Sequence, residues 1–301
     1  MRSVLITGVS GFLGSHTANY FKARGCKVTG IDIHDIADQR ESVDVFVKEH
    51  LSLALLTAVG NDFDVLIHCA GSGSIAFSNE FPADDFDRNV VSLLQVLEYM
   101  RLHNTQAKLI FPSSAAVYGQ RDDVLISESD PTSPISPYGY HKMIGEELCK
   151  SYTLNYHLNI SIIRFFSLYG VGLKKQLLWD ACNKFMRNEK NVSFSGTGKE
   201  TRDWLNIKDA ASLIFKVAEA RERHDILNGG SGEKYFNKDI LNAISREIGK
   251  QQKAVFDGKI RPGDPRHYHA NNSKAKSYGW EPVTPIEAGI KEYVSWYRQN
   301  Q

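Results

Sequence analysis

Through the first 170 residues, short apolar runs alternate with longer segments whose apolar positions recur at helical spacing. The runs predict strands at Val4 to Thr7, Val28 to Ile33, Val45 to Val47, Val65 to Cys69, Leu109 to Phe111 and Ile160 to Phe165. They are apolar on both faces, as strands inside a parallel sheet must be. Between them, Phe86, Val90, Leu93, Leu94, Leu97 and Met100 repeat at helical spacing and predict a helix that lays this stripe on the sheet. The alternation as a whole predicts an α/β fold, a doubly wound parallel sheet covered by helices on both faces. After about residue 167 the pattern changes to shorter elements broken by turns at Gly196-Thr197-Gly198, Gly229-Gly230-Ser231-Gly232 and Arg261-Pro262-Gly263-Asp264. This predicts a smaller mixed α/β C-terminal domain, with a small-molecule cleft between the two parts.

Composition narrows the function classes. Of 301 residues, 42% are hydrophobic, and 36 Lys+Arg stand against 35 Asp+Glu for a net charge of +1. No field of one sign covers such a molecule, so neither a nucleic acid nor a membrane surface is expected as its partner. No run reaches the roughly 18 apolar residues of a membrane span, and the first strand starts too near Met1 to leave room for a signal peptide. Cys26, Cys69, Cys149 and Cys182 form no C-x-x-C pair, which predicts reduced thiols and a cytoplasmic location. His267 and His269 are close in sequence, but no further ligand spacing accompanies them and no metal is expected.

The first strand runs directly into Thr7-Gly8-Val9-Ser10-Gly11-Phe12-Leu13-Gly14, followed by a helical segment from Ser15 to Arg24. Glycines at this spacing permit a sharp turn, a close approach of backbone to pyrophosphate and tight packing of helix on strand. The helix N-terminus adds amides and partial positive charge. Together they predict a Rossmann-type dinucleotide site formed by Gly8, Gly11, Phe12, Leu13 and Gly14. Asp32 ends the second strand, 18 residues after Gly14, where its carboxylate can accept bonds from ribose hydroxyls and repel a 2′-phosphate. Asp32 and the adjacent Ile33 therefore complete an NAD site, although Arg40 is near enough in sequence to leave NADP open.

Ser136-Pro137 supplies a helix cap and a first-turn proline, so Tyr138 and Lys142, four residues apart, should share one helical face. A phenol with a pKa near 10 is only about 0.1% ionised at pH 7, so a working base needs about 4 kcal/mol of help. An ammonium about 4 Å away supplies that much at an effective dielectric near 20. Upstream, Phe111-Pro112-Ser113-Ser114 ends a central strand, at the sheet edge where ligands of open α/β sheets bind. Ser114 can then bond the hydroxyl that Tyr138 deprotonates, whereas Ser113 is expected to satisfy loop backbone groups.

These motifs, in this order and spacing, resemble the extended short-chain dehydrogenase/reductases and within them the nucleotide-sugar epimerases. The likeness continues through Arg164-Phe165-Phe166-Ser167-Leu168-Tyr169-Gly170, Thr201-Arg202-Asp203-Trp204, Asn228 to Gly232, Arg261 to Asp264 and Ser273-Lys274-Ala275, covering essentially the whole chain. The resemblance implies that Tyr138 is the base, that Lys142 also holds the nicotinamide ribose and that Ser114 assists. It also implies that Ser167, Arg202 and Arg261 contact a nucleoside-diphosphate sugar, guanidinium geometry suiting a diphosphate. It further implies a dinucleotide domain of residues 1–166 with a returning segment near 203–228, and a sugar-nucleotide domain of 167–202 with 229–301. A homodimer joined through the helix near Phe86 to Met100 and the Tyr/Lys helix is implied as well.

Family dehydratases carry Asp-Glu, and decarboxylases a Glu, where this chain has Ala115 and Ala116, so neither reaction has its extra acid or base. Three positions depart from the family pattern. Ser167 replaces a usual Asn, His50-Leu51-Ser52 lacks an Asp that usually contacts adenine, and Asn271 stands where an Asp often precedes Ser-Lys-Ala. The function implied is NAD-dependent epimerisation at sugar C4 through a 4-keto intermediate. A 4-ketoreductase of deoxysugar nucleotides and a noncatalytic dinucleotide sensor are the alternatives.

Overall fold

The computed structural model describes residues 2–187, 191–220, 225–249, 252–259, 263 and 265–300. Its strands are β1 (Ser3–Thr7), β2 (Lys27–Asp32), β3 (Val45–Lys48), β4 (Val65–His68), β5 (Lys108–Ser114), β6 (Asn159–Phe165), β7 (Ser167–Tyr169), β8 (Asn191–Phe194), β9 (Thr201–Asn206), β10 (Asp225–Gly229), β11 (Lys234–Phe236) and β12 (Lys253–Phe256). Seven form one sheet in the order β10-β6-β5-β4-β1-β2-β3, and every pairing in it is parallel. Strand order reverses between β1 and β4, which opens a crevice at their carboxyl ends. All six predicted strands are present, with ends shifted by one to three residues. Ile33 and Cys69 fall just outside theirs, and Ile33 is 44% exposed.

Both faces of the sheet are covered. Helices Phe12–Lys22 and Ile207–Glu219 close one side over Val4, Ile6 and Val28; helices Leu53–Val59, Ser92–His103 and Pro137–Tyr156 close the other over Leu5, Leu109 and Phe111. The predicted stripe packs as expected from Val90 to Met100, but Phe86 is exposed. The reason is a π turn at Asp87–Val91, between helix Pro82–Phe86 and helix Ser92–His103. The wider turn shifts the phase of everything before it, and Asp85 and Asn89 are buried instead.

The C-terminal part carries a mixed three-stranded sheet, β11-β9-β7, and a parallel pair, β12-β8. Helices Gln176–Phe185, Asn237–Ile248 and Ile286–Gln299 close over it, around Trp204, Tyr293 and Tyr297. The chain returns to the large sheet through helix Ile207–Glu219 and β10. Asp203, wholly buried, ties the two parts: its carboxylate accepts from Ser231 N (2.6 Å), Ser231 Oγ (2.8 Å), Gly232 N (3.0 Å) and Ala270 N (3.1 Å). Burial nevertheless lifts its pKa to about 6 against those bonds.

Candidate active site

The crevice begins at the glycine turn. Gly8 sits at φ +70, and a Cβ on it would lie 2.4 Å from Ala70 N; one on Gly14 would lie 2.1 Å from Gly8 O. These two glycines are therefore demanded by the turn itself. Gly11 is different: it is exposed, and a Cβ there would meet only Gly8 O, at 3.2 Å. Space beside Gly11, at the start of helix Phe12–Lys22, suits a phosphate brought against the backbone. The amides of Phe12, Leu13 and Gly14 stand in the first helical turn, where no intrahelical acceptor exists. The helix starts three residues before the predicted Ser15.

Asp32 ends β2 beside this turn. Its Oδ2 accepts from Ser10 N (3.0 Å) and its Oδ1 from His34 N (3.0 Å). The carboxylate is thus oriented by the loop, and each oxygen keeps a lone pair for a ribose hydroxyl. Arg40 lies exposed on the short helix Ala37–Ser42. At the floor of the crevice His68 bridges Thr7 Oγ1 (2.8 Å) and Ser92 Oγ (3.2 Å), and burial brings its pKa down to about 3. It is a neutral strut.

The second half of the site is built by β5 and helix Pro137–Tyr156. β5 runs beyond Ile110, the last residue that pairs with β4, so Pro112 sits where its missing N–H breaks no bond to β4. Its carbonyl accepts from Lys142 Nζ at 3.1 Å, and the ammonium also lies 4.9 Å from the Phe111 ring centroid. Ser136 caps the helix, its Oγ accepting from Gly139 N (3.2 Å), with Pro137 in the first turn. Gly139 allows close approach: a Cβ there would lie 2.7 Å from Ala116 O. The helix start therefore meets the turn Ala115–Tyr118, capped by Ser114, whose Oγ accepts from Ala116 N (3.1 Å). The same Ser114 hydroxyl lies beside the Tyr138 phenol and favours its ionised form.

Ser114, Tyr138 and Lys142 are thus brought together, but the electrostatics differ from the expectation. Burial pushes Tyr138 up to about 12; the Ser114 bond works against this, and the charge of Asp85 adds to it. Burial brings Lys142 down to about 8, opposed by Cys69, Asp85, Glu146 and Cys149. The protein's own groups leave the phenol protonated, because burial dominates it and Lys142 spends its bond on Pro112. Ionisation at neutral pH therefore needs a further positive charge in the crevice.

Ser113 does not satisfy loop backbone. It donates to Glu146 Oε1 (2.5 Å), and Glu146 holds Arg164 through Nε–Oε1 (3.0 Å) and Nη2–Oε2 (2.7 Å). Arg164 Nη1 reaches Tyr118 OH (3.0 Å), which donates to Asn228 Oδ1 (2.7 Å). This buried network locks helix Pro137–Tyr156 to β5, β6 and β10 one turn beyond Lys142. Glu146 carries no motif of its own in the sequence, although its i+4 spacing from Lys142 is a usable signal. Asp85 carries none either, and its partner His141 lies far along the chain.

On the sugar side, Ser167 pairs with Trp204 across β7 and β9, half-buried. Arg202 Nη1 donates to Thr201 O (2.9 Å) and Arg266 O (3.3 Å), and its guanidinium lies 5.8 Å from the Tyr268 ring centroid. Arg261, with Pro262 and Asp264, lies outside the described residues. Asn271 accepts from Ser273 N (3.1 Å) and donates to Ser127 Oγ (3.0 Å). Ser52 caps helix Leu53–Val59 by accepting from Leu55 N (3.1 Å). His267 and His269 are engaged with Thr201 Oγ1 (3.0 Å) and Gly232 O (3.1 Å), and no metal-ligand cluster occurs among the described residues.

The profile of the "NAD dependent epimerase/dehydratase family" matches residues 4–230. A "Putative UDP-glucose 4-epimerase" of Methanocaldococcus jannaschii is 29% identical, the match covering 99% of each chain. A "UDP-glucuronate 4-epimerase" of Thermodesulfobacterium geofontis is 27% identical over 98% of this chain and 96% of its own. Among solved structures, the UDP-glucuronic acid 4-epimerase of Bacillus cereus, in complex with UDP-glucuronic acid and NAD, superposes with a TM-score of 0.91 at 25% identity over the whole of both chains.

Proposed function

Because this chain belongs to the NAD dependent epimerase/dehydratase family, we propose that it is a 4-epimerase of a UDP-sugar, with Ser114, Tyr138 and Lys142 as its catalytic residues. The observation that carries the reading is the placement of Ser114 beside the Tyr138 phenol at the carboxyl edge of the sheet, with Ala115 and Ala116 where elimination would need acids. The full-length relatives named as 4-epimerases of UDP-glucose and UDP-glucuronate support it.

NAD fits the residues present: the open face of Gly11, the first-turn amides of Phe12, Leu13 and Gly14, the oriented carboxylate of Asp32 and the adjacent Ile33 would hold it. When bound, NAD would supply the acceptor, and later the donor, of the hydride at sugar C4, together with positive charge in the crevice. Tyr138 takes the proton of the C4 hydroxyl and returns it to the same oxygen after the 4-keto sugar has turned to receive the hydride on its other face. Ser114 bonds that oxygen and keeps it in line with the phenol. Lys142, bonded here to the Pro112 carbonyl, would hold the cofactor ribose and add positive charge. Ser167, Arg202 and Arg261 bind the sugar nucleotide, the arginines on its diphosphate. The seven-stranded sheet serves the dinucleotide, and the smaller sheets serve the sugar. Assay of the purified protein against UDP-sugars differing at C5 and C2 identifies the substrate; inertness toward all of them would overturn the reading.

We assign the protein a cytoplasmic location, supported by four free thiols. Among the described residues, no helix is long and apolar enough to cross a membrane. A second copy of the chain completes the molecule in this reading. Phe86, Val91 and Leu102 on one helical segment, and Tyr140, Ile144 and Leu154 on helix Pro137–Tyr156, are exposed apolar residues, and such patches mark interaction faces. Light scattering at micromolar concentration should give twice the chain mass; a monomer would contradict this without touching the catalytic assignment.

A further inference from the structure

Behind Tyr138 lies a buried carboxylate that the reaction as described does not use. Asp85 is wholly buried at the end of helix Pro82–Phe86. Its Oδ2 meets His141 Nδ1 at 2.6 Å, and its buried Oδ1 has no hydrogen-bond partner among the described residues. His141 lies between Tyr138 and Lys142 in the chain, with Phe86 packed edge-on at 5.4 Å. The same helical hairpin grips the next residue of interest, since Tyr138 N donates to the buried Ser78 Oγ at 3.1 Å. Immediately after Asp85 comes the π turn, a distortion often found at functional sites.

An ionised carboxylate left partly unpaired in a dry interior is destabilising, and a structural role would be served by a neutral residue. We propose that Asp85, joined through Oδ2 to His141 Nδ1, is a positioning residue for proton transfer: its carboxylate is the fixed countercharge that sets the pH window in which Tyr138 and Lys142 work. Its charge reaches both groups, raising the phenol and the ammonium alike. The other group acting on the phenol is Ser114 from β5; on its own helix, His141 is engaged with Asp85 and Lys142 with the Pro112 carbonyl. Lys142 is faced in addition by Cys69 after β4 and by Glu146 and Cys149 on its own helix. Arg88, on the π turn, is directed onto the Phe77 ring at 4.7 Å.

The sign follows. Activity needs Tyr138 ionised, a form present above its midpoint, and Lys142 protonated, a form present below its midpoint. Removing the negative charge lowers both midpoints, so both limbs of the pH–rate profile move toward acid. The proposal rests on the epimerase reading for that profile only, because the phenol can be titrated without turnover. In the NAD-loaded protein, the ring-carbon NMR signal of labelled tyrosine, assigned by its loss in Tyr138→Phe, reports the same midpoint. Asp85→Asn should shift both limbs and the NMR midpoint to lower pH by about one unit. His141→Gln, which can still donate to Asp85, should leave them in place. Where Asp85→Asn does not fold, the double variant Asp85→Asn with His141→Gln, leaving no charge stranded, carries the same expected shift. Lower turnover at every pH, with limbs and midpoint unmoved, would reduce the pair to a structural contact and overturn the proposal. Inertness of the wild type toward sugars, with the NMR shift present, would overturn only the epimerase reading.

Discussion

Tyr138→Phe lowers turnover by at least about 10²-fold, the scale of a lost general base, while leaving the fold and NAD binding intact. The substitution removes one oxygen from a side chain whose ring stays where it was. Its backbone N–H still donates to Ser78, the helix cap at Ser136 is untouched, and the glycine turn lies on other elements. What is lost is the group beside Ser114 that is proposed to exchange the C4 proton. Burial already holds the phenol near 12 without a ligand. No other phenol in the segment can stand in, since Tyr140 is half-exposed on the outer face. Turnover and NAD content of the purified variant check this; near-normal turnover with NAD retained would move the proton-transfer role elsewhere.

Glu146→Gln destabilises the fold by about 3 to 5 kcal/mol, as expected when one member of a buried ion pair is neutralised. Both side chains are 6% exposed, so solvent does not screen the pair. Burial opposes the Arg164 charge, and the Glu146 bonds outweigh it, holding the guanidinium above its ordinary range. With an amide at 146 the charge and one acceptor oxygen are lost, so Arg164 and Ser113 are left to share one carbonyl oxygen beside a new NH2 donor, and Arg164 otherwise keeps Tyr118 OH and Glu128 O. Urea unfolding followed by circular dichroism measures the loss; a change under about 1 kcal/mol would show that the network is not what fastens the Tyr/Lys helix to the sheet.

The sheet was legible because its strands are continuous apolar runs, and burial on both faces leaves no competing assignment. The glycine turn, Asp32 and the Ser114, Tyr138 and Lys142 set were legible because each is a local motif whose spacing carries its own geometry. Relations across the chain were not. Asp85 finds His141 56 residues on, and nothing in the local pattern separates it from the solvated Asp84. Phe86 fitted the helical stripe until the π turn at Asp87–Val91 changed the phase. Ser113 and Ser114 are adjacent and chemically alike. Alternation along β5 turns one toward Glu146 and the other toward Tyr138. The proton balance was illegible for a different reason. Spacing fixes which groups are near, whereas dehydration, which dominates both Tyr138 and Lys142 here, depends on everything packed around them.

The central claim is that one hydrogen leaves sugar C4 and returns to it with no net use of cofactor. The direct measurement follows the purified protein with a UDP-sugar carrying deuterium at C4, by NMR, with no nicotinamide added. The account predicts that both C4 epimers accumulate to equilibrium, each retaining the deuterium at C4, while absorbance of reduced nicotinamide shows no net change. Loss of the label to solvent, or conversion only when reduced cofactor is supplied and consumed in equal amount, would contradict it.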